Sequence, residues 1–416
     1  MKMTSFGYMQ RVCICLVLLL MATGPCLHAQ LADRVYKTDY QIGVDRKGEL
    51  RVEVDNISFF RDNEYSTRSM DGYTLPGFWV QPKAVYYPLD NIKLELGVHM
   101  LRYWGADKYP NMAYQDIAYW KGRHQDGLHI LPFFRAQAAL SDHVNIVLGH
   151  LYGGANHNLI APLYCPELNM TADPEAGLQV LYHSKRFDLD AWVNWESFIF
   201  RNDVHQEAFI VGLSSRLKLN DEQSPLHFYL PLQAVIQHRG GEIDTINTSS
   251  VQTLMNGALG VGATWTIDHP LIKRANVELD GLGYYQQAGT LWPYDSGAAF
   301  HAQASVDLHD FRVKGGYFVG HKFISLLGYP MYGCVSTKEQ GLTFPTMKTG
   351  YIGVEYSHTF APGYALGIDV DLYCQGKCTA VDAAGQRSRT SMATSFAAGI
   401  YLRIHPSFLI KRFGAD

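Results

Sequence analysis

From about Leu50 to Ile404 the chain is written in a two-residue rhythm. Ile92, Leu94, Leu96, Val98 and Met100 alternate with Lys93, Glu95, Gly97 and His99. Phe187, Leu189, Ala191, Val193 and Trp195 alternate with Asp188, Asp190, Trp192, Asn194 and Glu196. The pattern returns at Leu226 to Gln237, at Phe300 to Leu308, and at Tyr364 to Tyr373, where Leu366, Ile368, Val370 and Leu372 face Gly367, Asp369, Asp371 and Tyr373. A helix would scatter these two sets around its circumference, whereas extended chain sorts them onto two faces.

The connections alternate as well. Short turns fall at Asp90-Asn91, Ser141 to His143, Lys185-Arg186, Asn220 to Pro225, Asp268 to Lys273, His309-Asp310 and Ala361 to Gly363. Between them lie longer stretches: Arg61 to Tyr73, Trp104 to Leu128, Gly153 to Pro174, Ile199 to Gln206, Arg239 to Thr253, Ala288 to Ser296, Lys322 to Thr346 and Gln375 to Thr390. This predicts an all-β fold, a transmembrane up-and-down antiparallel β-barrel of about sixteen strands with short periplasmic turns and long extracellular loops. A soluble sandwich or propeller would also have short alternating strands. Sandwiches do not alternate short and long connections, and the ~40-residue repeat of a propeller is not found.

Composition agrees with a barrel. Charged residues are 18% of 416, aromatics 13%, and there are 26 Tyr and 38 Gly. A mean hydropathy of −0.10 separates nothing, because only alternate strand residues of a barrel meet lipid. A net charge of −4 implies no nucleic-acid partner. At the N-terminus, Lys2 and Arg11 precede an apolar run from Val12 to Met21, and Leu27-His28-Ala29 offers a cleavage site. This reads as a secretory signal peptide, too short for the ~20 residues of a spanning helix. Pro25 stands where a lipidated Cys26 would have a small residue. The expected organisation is 1–29 signal peptide, 30–49 N-terminal periplasmic segment and 50–416 outer-membrane barrel of a Gram-negative cell, in contact with outer-membrane lipid.

Candidate chemistry follows from the faces. Tyr86, Phe187, Trp265, Phe311 and Tyr364 beside short turns, and Trp195, Tyr285 and Tyr317 beside long loops, fit aromatic girdles. The polar face carries Lys83, Lys93, Glu95, Arg135, Asp188, Asp190, Arg216, Lys218, Glu278, Asp280, Asp307, Arg312, Lys314, Glu355, Asp369, Asp371 and Arg403. Unpaired ions in a dry core cost several kcal/mol each, so these are expected to line a hydrated pore; the alternative is ion pairing within the wall, as between Asp307 and the Arg312 and Lys314 pair. Gly153 to Pro174, Trp104 to Leu128 and Lys322 to Thr346 are candidates for a loop that folds inward. Cys374 and Cys378 could form a disulfide across a tight loop in an oxidising compartment; a lone C-x3-C is too little for zinc, and neither a metal nor a cofactor is expected.

Enzymatic signals are thin. His150 and His157 flank Gly153-Gly154, and His124 and His129 sit near a strand entry, but no H-E-x-x-H or G-x-S-x-G appears. The expectation is therefore a non-enzymatic, porin-like channel for passive diffusion of small hydrophilic solutes. The alternatives are a structural or partner-binding barrel with an occluded lumen, joined to its own copies or to an envelope protein, and a barrel-embedded hydrolase.

The stretch Val54-Asp55-Asn56-Ile57-Ser58-Phe59-Phe60 followed by Gly72-Tyr73-Thr74-Leu75-Pro76-Gly77-Phe78 resembles uncharacterised porin-like barrels of Bacteroidota outer membranes. Asn194-Trp195-Glu196-Ser197-Phe198-Ile199-Phe200 does so too. The resemblance implies a compartment and a fold, and supplies no catalytic or ligand residue. Phe413 fits barrel assembly signals that favour a terminal aromatic.

Overall fold

The computed structural model describes residues 31–43, 45–104, 128–198, 206–241 and 251–414. The proposed signal peptide, most of the Trp104 to Leu128 loop, His124, Phe200 and the centres of the Ile199 to Gln206 and Arg239 to Thr253 loops lie outside them. In chain order the strands are β1 (Glu49–Ser66), β2 (Asp71–Leu89), β3 (Ile92–Tyr103), β4 (His129–Ala139), β5 (Val144–His150), β6 (Ala176–His183), β7 (Phe187–Ser197), β8 (Ala208–Lys218), β9 (Leu226–Arg239) and β10 (Gln252–Thr266). They continue as β11 (Ile272–Ala288), β12 (Ser296–Leu308), β13 (Phe311–His321), β14 (Thr346–Ala361), β15 (Tyr364–Gln375), a loop hairpin of β16 (Thr379–Val381) and β17 (Arg387–Arg389), then β18 (Ala393–Ile404) and β19 (Ser407–Arg412).

Each wall strand pairs antiparallel with its neighbour in sequence. The last stave, β18 continued as β19 beyond His405-Pro406, pairs with β1 and closes the ring. The result is a closed sixteen-strand barrel. β11 shows how its faces are sorted. Val277 and Leu279 are 49% and 41% exposed, whereas Glu278 and Asp280 between them are 5% and 1% exposed. An apolar exterior over an ionic interior is the arrangement a bilayer selects.

The interior is packed with the chain's own loops. Residues 151–175 and 322–345 fold inward from the long-loop end and bond to each other: the Cys165 N–H donates to the Leu327 carbonyl at 2.8 Å, and the Ser325 hydroxyl to that of Pro162 at 2.7 Å. They are also keyed to the wall. Asn256 donates to the Ile324 carbonyl at 2.8 Å and accepts from the Leu326 N–H at 2.9 Å. Leu163, Leu168, Met170, Phe323, Met331, Tyr332 and Phe344 join wall residues such as Leu75, Leu101 and Phe318 in one apolar cluster. From the short-turn end a helical turn, Ala32–Tyr36, enters the barrel, burying Leu31 and Val35 in the same cluster.

Three expectations need correcting. The stretch Arg61 to Tyr73 is no long loop: pairing runs on to Ser66 and resumes at Asp71. Many inward charges are not left single along an open lumen but are paired with one another, the alternative reading given above. Arg61, 2% exposed, meets Glu167 at 2.8 Å and Asp369 at 2.7 Å, because an ion in a low-dielectric interior is tolerable only beside a counter-ion. Finally, all four described cysteines are free. Cys374 takes the outward register of β15 with Val370 and Leu372, while Cys378 packs against the interior cluster. The wall lies between them, so they do not pair.

Candidate functional site

The wall changes character at β5 and β6. These strands have 7 and 8 residues, and they end opposite each other at the pairs Gly149↔Gly177 and His150↔Ala176. Gly149 has φ +85°, and a Cβ there would collide with the Phe134 carbonyl oxygen. Only glycine takes this conformation without strain, and here the chain leaves the wall. Gly177 lies so close to the Val193 carbonyl that a Cβ would collide with it. Beyond the pair, Leu151 and Tyr152 turn inward, 3% and 1% exposed. The Tyr152 hydroxyl donates to Gln137 at 2.8 Å, and the Arg135 guanidinium sits 3.9 Å from its ring centroid.

The next turn, Gly154–His157, places His157 between two carboxylates. Nδ1 is 2.7 Å from Asp190 and Nε2 2.9 Å from Glu175, and the ring stacks on Trp192 with centroids 3.5 Å apart. Burial opposes charging of this imidazole, but Glu175 and Asp190 outweigh it and push its pKa up to about 10. His157 is therefore an imidazolium with both N–H groups engaged. It cannot take a proton, and it acts as a clamp that pins the loop to the wall. Glu175 also accepts from the Gly154 N–H at 2.9 Å, and the His157 charge holds its carboxyl below the usual range against the effect of burial.

Beside the clamp lies a cavity of ≈ 140 Å³. Trp79, Phe133, Leu151, Leu159, Leu168, Trp192, Ile210 and Leu327 form its apolar part, and Lys83, His99, Arg135, Asp173, Glu175 and Asn194 its polar part. His99, 4% exposed, has Nδ1 at 3.4 Å from Gln81 Oε1. With the Gln81 oxygen facing the ring, Nδ1 is the donor of this contact, which in the neutral imidazole leaves Nε2 as the acceptor. Among the described residues Nε2 has no partner. Lys83 and Arg135 each reach Glu95 at 2.8 Å, Lys93 reaches the same carboxylate at 3.4 Å, and Lys83 also lies 3.9 Å from Glu53. Asp173 lies 3.5 Å from His129 Nδ1, and burial raises its carboxyl pKa against the lowering contact with that imidazole. A neutral imidazole with a free lone pair, two cations and an apolar wall can activate water and stabilise an oxyanion.

The inward charges divide between regions. Lys83, Arg135 and Arg403 line this cavity, with Glu95, Lys93 and Asp190 bonded to its walls. Arg216, Glu278, Arg312, Lys314, Glu355, Asp369 and Asp371 surround a second cavity of ≈ 380 Å³. Asp307 binds Arg274 at 3.0 Å and Arg312 at 2.6 Å, and Lys314 turns instead to Glu355 at 2.8 Å. Asp188 holds Lys218 at 3.0 Å, and Asp280 lies 3.7 Å from His301. Tyr86, Phe187, Trp195, Trp265, Tyr285, Phe311, Tyr317 and Tyr364 all fall on the outward register. Two of the three candidate loops, Gly153 to Pro174 and Lys322 to Thr346, fold inward. Sequence reading passed over Gln81, His99, Asp173 and Glu175, and set His129 and His157 aside. The alternation of β3, which puts His99 on the ionic face beside Glu95, was the one available signal.

A family model described as Lipid A 3′-O-deacylase-type matches residues 42–413. This overturns the expectation of a non-enzymatic barrel, since that family is named for an enzyme. No curated protein matches the chain. Among solved structures, the outer-membrane-expressed OmpT of Vibrio cholerae is 10% identical, with 90% of this chain and 100% of that one covered at a TM-score of 0.45. OprD of Pseudomonas aeruginosa is 9% identical, covering 90% and 97% at 0.43, and OccAB4 of Acinetobacter baumannii is 11% identical, covering 87% and 99% at 0.42. Likenesses this remote do not bear on activity.

Proposed function

Because the chain belongs to the lipid A 3′-O-deacylase-type family, we propose that it is an outer-membrane hydrolase that cleaves an ester-linked acyl chain from a lipid A-type glycolipid. The observation that supports this reading is the unpartnered Nε2 of His99 in a cavity that also holds Lys83, Arg135 and an apolar wall. In the reaction His99 Nε2 accepts a proton from water as the water oxygen bonds to the ester carbonyl carbon. Lys83 and Arg135 offset the charge on the resulting oxyanion. The carbon–oxygen bond to the sugar then breaks, the proton on His99 passes to the departing alkoxide, and a free fatty acid and a sugar hydroxyl remain. Incubating the purified barrel with lipid A in mixed micelles tests it by mass spectrometry. Lipid A in which one acyl group is replaced by hydrogen, with the matching free fatty acid, is expected; unchanged lipid A with folded protein overturns the reading.

A second reading, passive passage of small hydrophilic solutes, is favoured by polar cavities of ≈ 380 and ≈ 340 Å³ elsewhere in the interior. Stepwise conductance in planar bilayers would support it, and a silent bilayer would remove it.

A further inference from the structure

A bilayer's hydrocarbon core needs about 9–11 residues of tilted strand to cross it. β5 and β6 have 7 and 8, whereas β4, β7 and β8 around them have 11 each. Register shows what this leaves open. β4 pairs with β5 only through Arg135–Ala139 against Asn145–Gly149, and β7 pairs with β6 only up to Gly177↔Asn194. The long-loop ends of β4 (129–134) and β7 (195–197) therefore face each other across a notch, with no strand between them among the described residues. His150 sits at its rim: its Nδ1 lies 3.0 Å from the Phe134 carbonyl, taking up backbone that a longer β5 would have engaged. On the outer side Ile130, Phe134, Leu148 and Leu178 are 60%, 48%, 52% and 43% exposed, so the wall around the notch faces lipid, and behind it the Leu151 N–H donates to the Glu175 carbonyl at 2.8 Å.

The cavity with His99 lies directly behind the notch. Its lining includes Phe133 and Arg135 from β4, Leu151 to Gly154 where the chain leaves β5, Pro174 and Glu175 where it enters β6, and Trp192 and Asn194 from β7. At ≈ 140 Å³ it approaches the engineered apolar cavity of about 150 Å³ that accepts benzene. That is room for a short segment of an acyl chain, with the remainder left outside.

We infer that the β5–β6 notch is a lateral port through which a segment of an acyl chain of a membrane lipid passes from the long-loop leaflet into the cavity that holds His99. The inference rests on the hydrolase reading for its purpose, but it can be tested separately. Membrane chains meet the port without leaving the bilayer, so the cost of drawing a lipid tail through water does not arise. Headgroup charge stays at the rim, where Glu175 and His157 belong to a closed ion-pair set and present no free ion to a tail.

The experiment is photo-crosslinking of the full-length barrel, reconstituted in phosphatidylethanolamine vesicles doped with a phospholipid bearing a diazirine midway along one chain, followed by peptide mapping. Adducts on Phe133, Leu151 or Trp192 are expected beside those on Phe134, Leu148 and Leu178. Ala172→Trp, which fills the cavity, is expected to lower the interior adducts at least fivefold and leave the outer ones unchanged. Adducts confined to the outer residues in folded protein overturn the port, as do interior adducts that Ala172→Trp does not reduce. Interior labelling without lipid A hydrolysis would keep the port and remove the hydrolase reading. Hydrolysis without interior labelling would do the reverse.

Discussion

The wall at β10–β11 and the wall at β5–β6 are built from the same alternation and end differently. β10 and β11 have 15 and 17 residues and pair from Thr253↔Ala288 to Thr266↔Arg274. β5 and β6 stop at the His150↔Ala176 pair, and the chain spends its next 25 or so residues inside the lumen. The long wall satisfies the bilayer. The short one gives up that fit, and the cavity with its free imidazole lies behind it. Under the proposed hydrolase function, the departure from regular wall at β5–β6 is where the chemistry is placed.

The sharpest way to break the comparison is at His99. If the short-wall cavity is the reaction site, His99→Gln lowers deacylation kcat by about 10²–10⁴-fold with little change in KM and an unchanged heat-modifiable gel shift. An equivalent change at His301 behind the long wall should leave kcat within twofold. The next test concerns the lipid face. Leu279, near the middle of β11, should cost about 2–4 kcal/mol when replaced by Arg. Leu148, in lipid-facing wall beside the notch, should lose a similar amount for the same change, read as urea midpoints in vesicles. A cost of only about 0–1 kcal/mol at Leu148 would mean that β5 ends at the interface and not inside hydrocarbon.

Backbone makes a smaller contrast. Gly149→Val forces a β-branched residue into φ +85° against the Phe134 carbonyl and should destabilise by roughly 1–3 kcal/mol. Gly283, where a Cβ meets nothing within 4 Å, should accept Ala within about 0.5 kcal/mol. The smallest effect is the pH response of the clamp. The His157 pKa is raised from 6.5 to about 10, so its contribution is fully present below pH 6.5 and is lost as pH rises through about 10. Unfolding midpoints of the wild type should fall across that window more steeply than those of His157→Gln. Parallel slopes would show that the imidazole is not charged in the fold.

Much of the wall was legible before any coordinates. Val277 to Asp280 alternates because one face meets lipid and the other the interior, and that constraint acts residue by residue along the strand. Turns such as Asp90-Asn91 and His309-Asp310 were legible for the same local reason. The loops were harder: that Gly153 to Pro174 and Lys322 to Thr346 fold inward was a candidate reading, but their contact through Cys165 and Leu327 joins residues far apart in the chain, and no periodicity reports it. The site was almost invisible. Gln81 and His99 are 18 positions apart and His157 and Asp190 33, so each pair exists only through strand register.

What the amino-acid order determined alone is a chain of two-faced strands with turns at one end and loops at the other. A membrane barrel is the natural way to satisfy both faces at once, since backbone hydrogen bonds must close on themselves in lipid. What tertiary structure decided is where two strands of the closed ring fall short and what stands behind them. Partners for buried ions, the tautomer of His99 and the inward course of the loops are set by closure of the ring, which brings together side chains that share no local pattern.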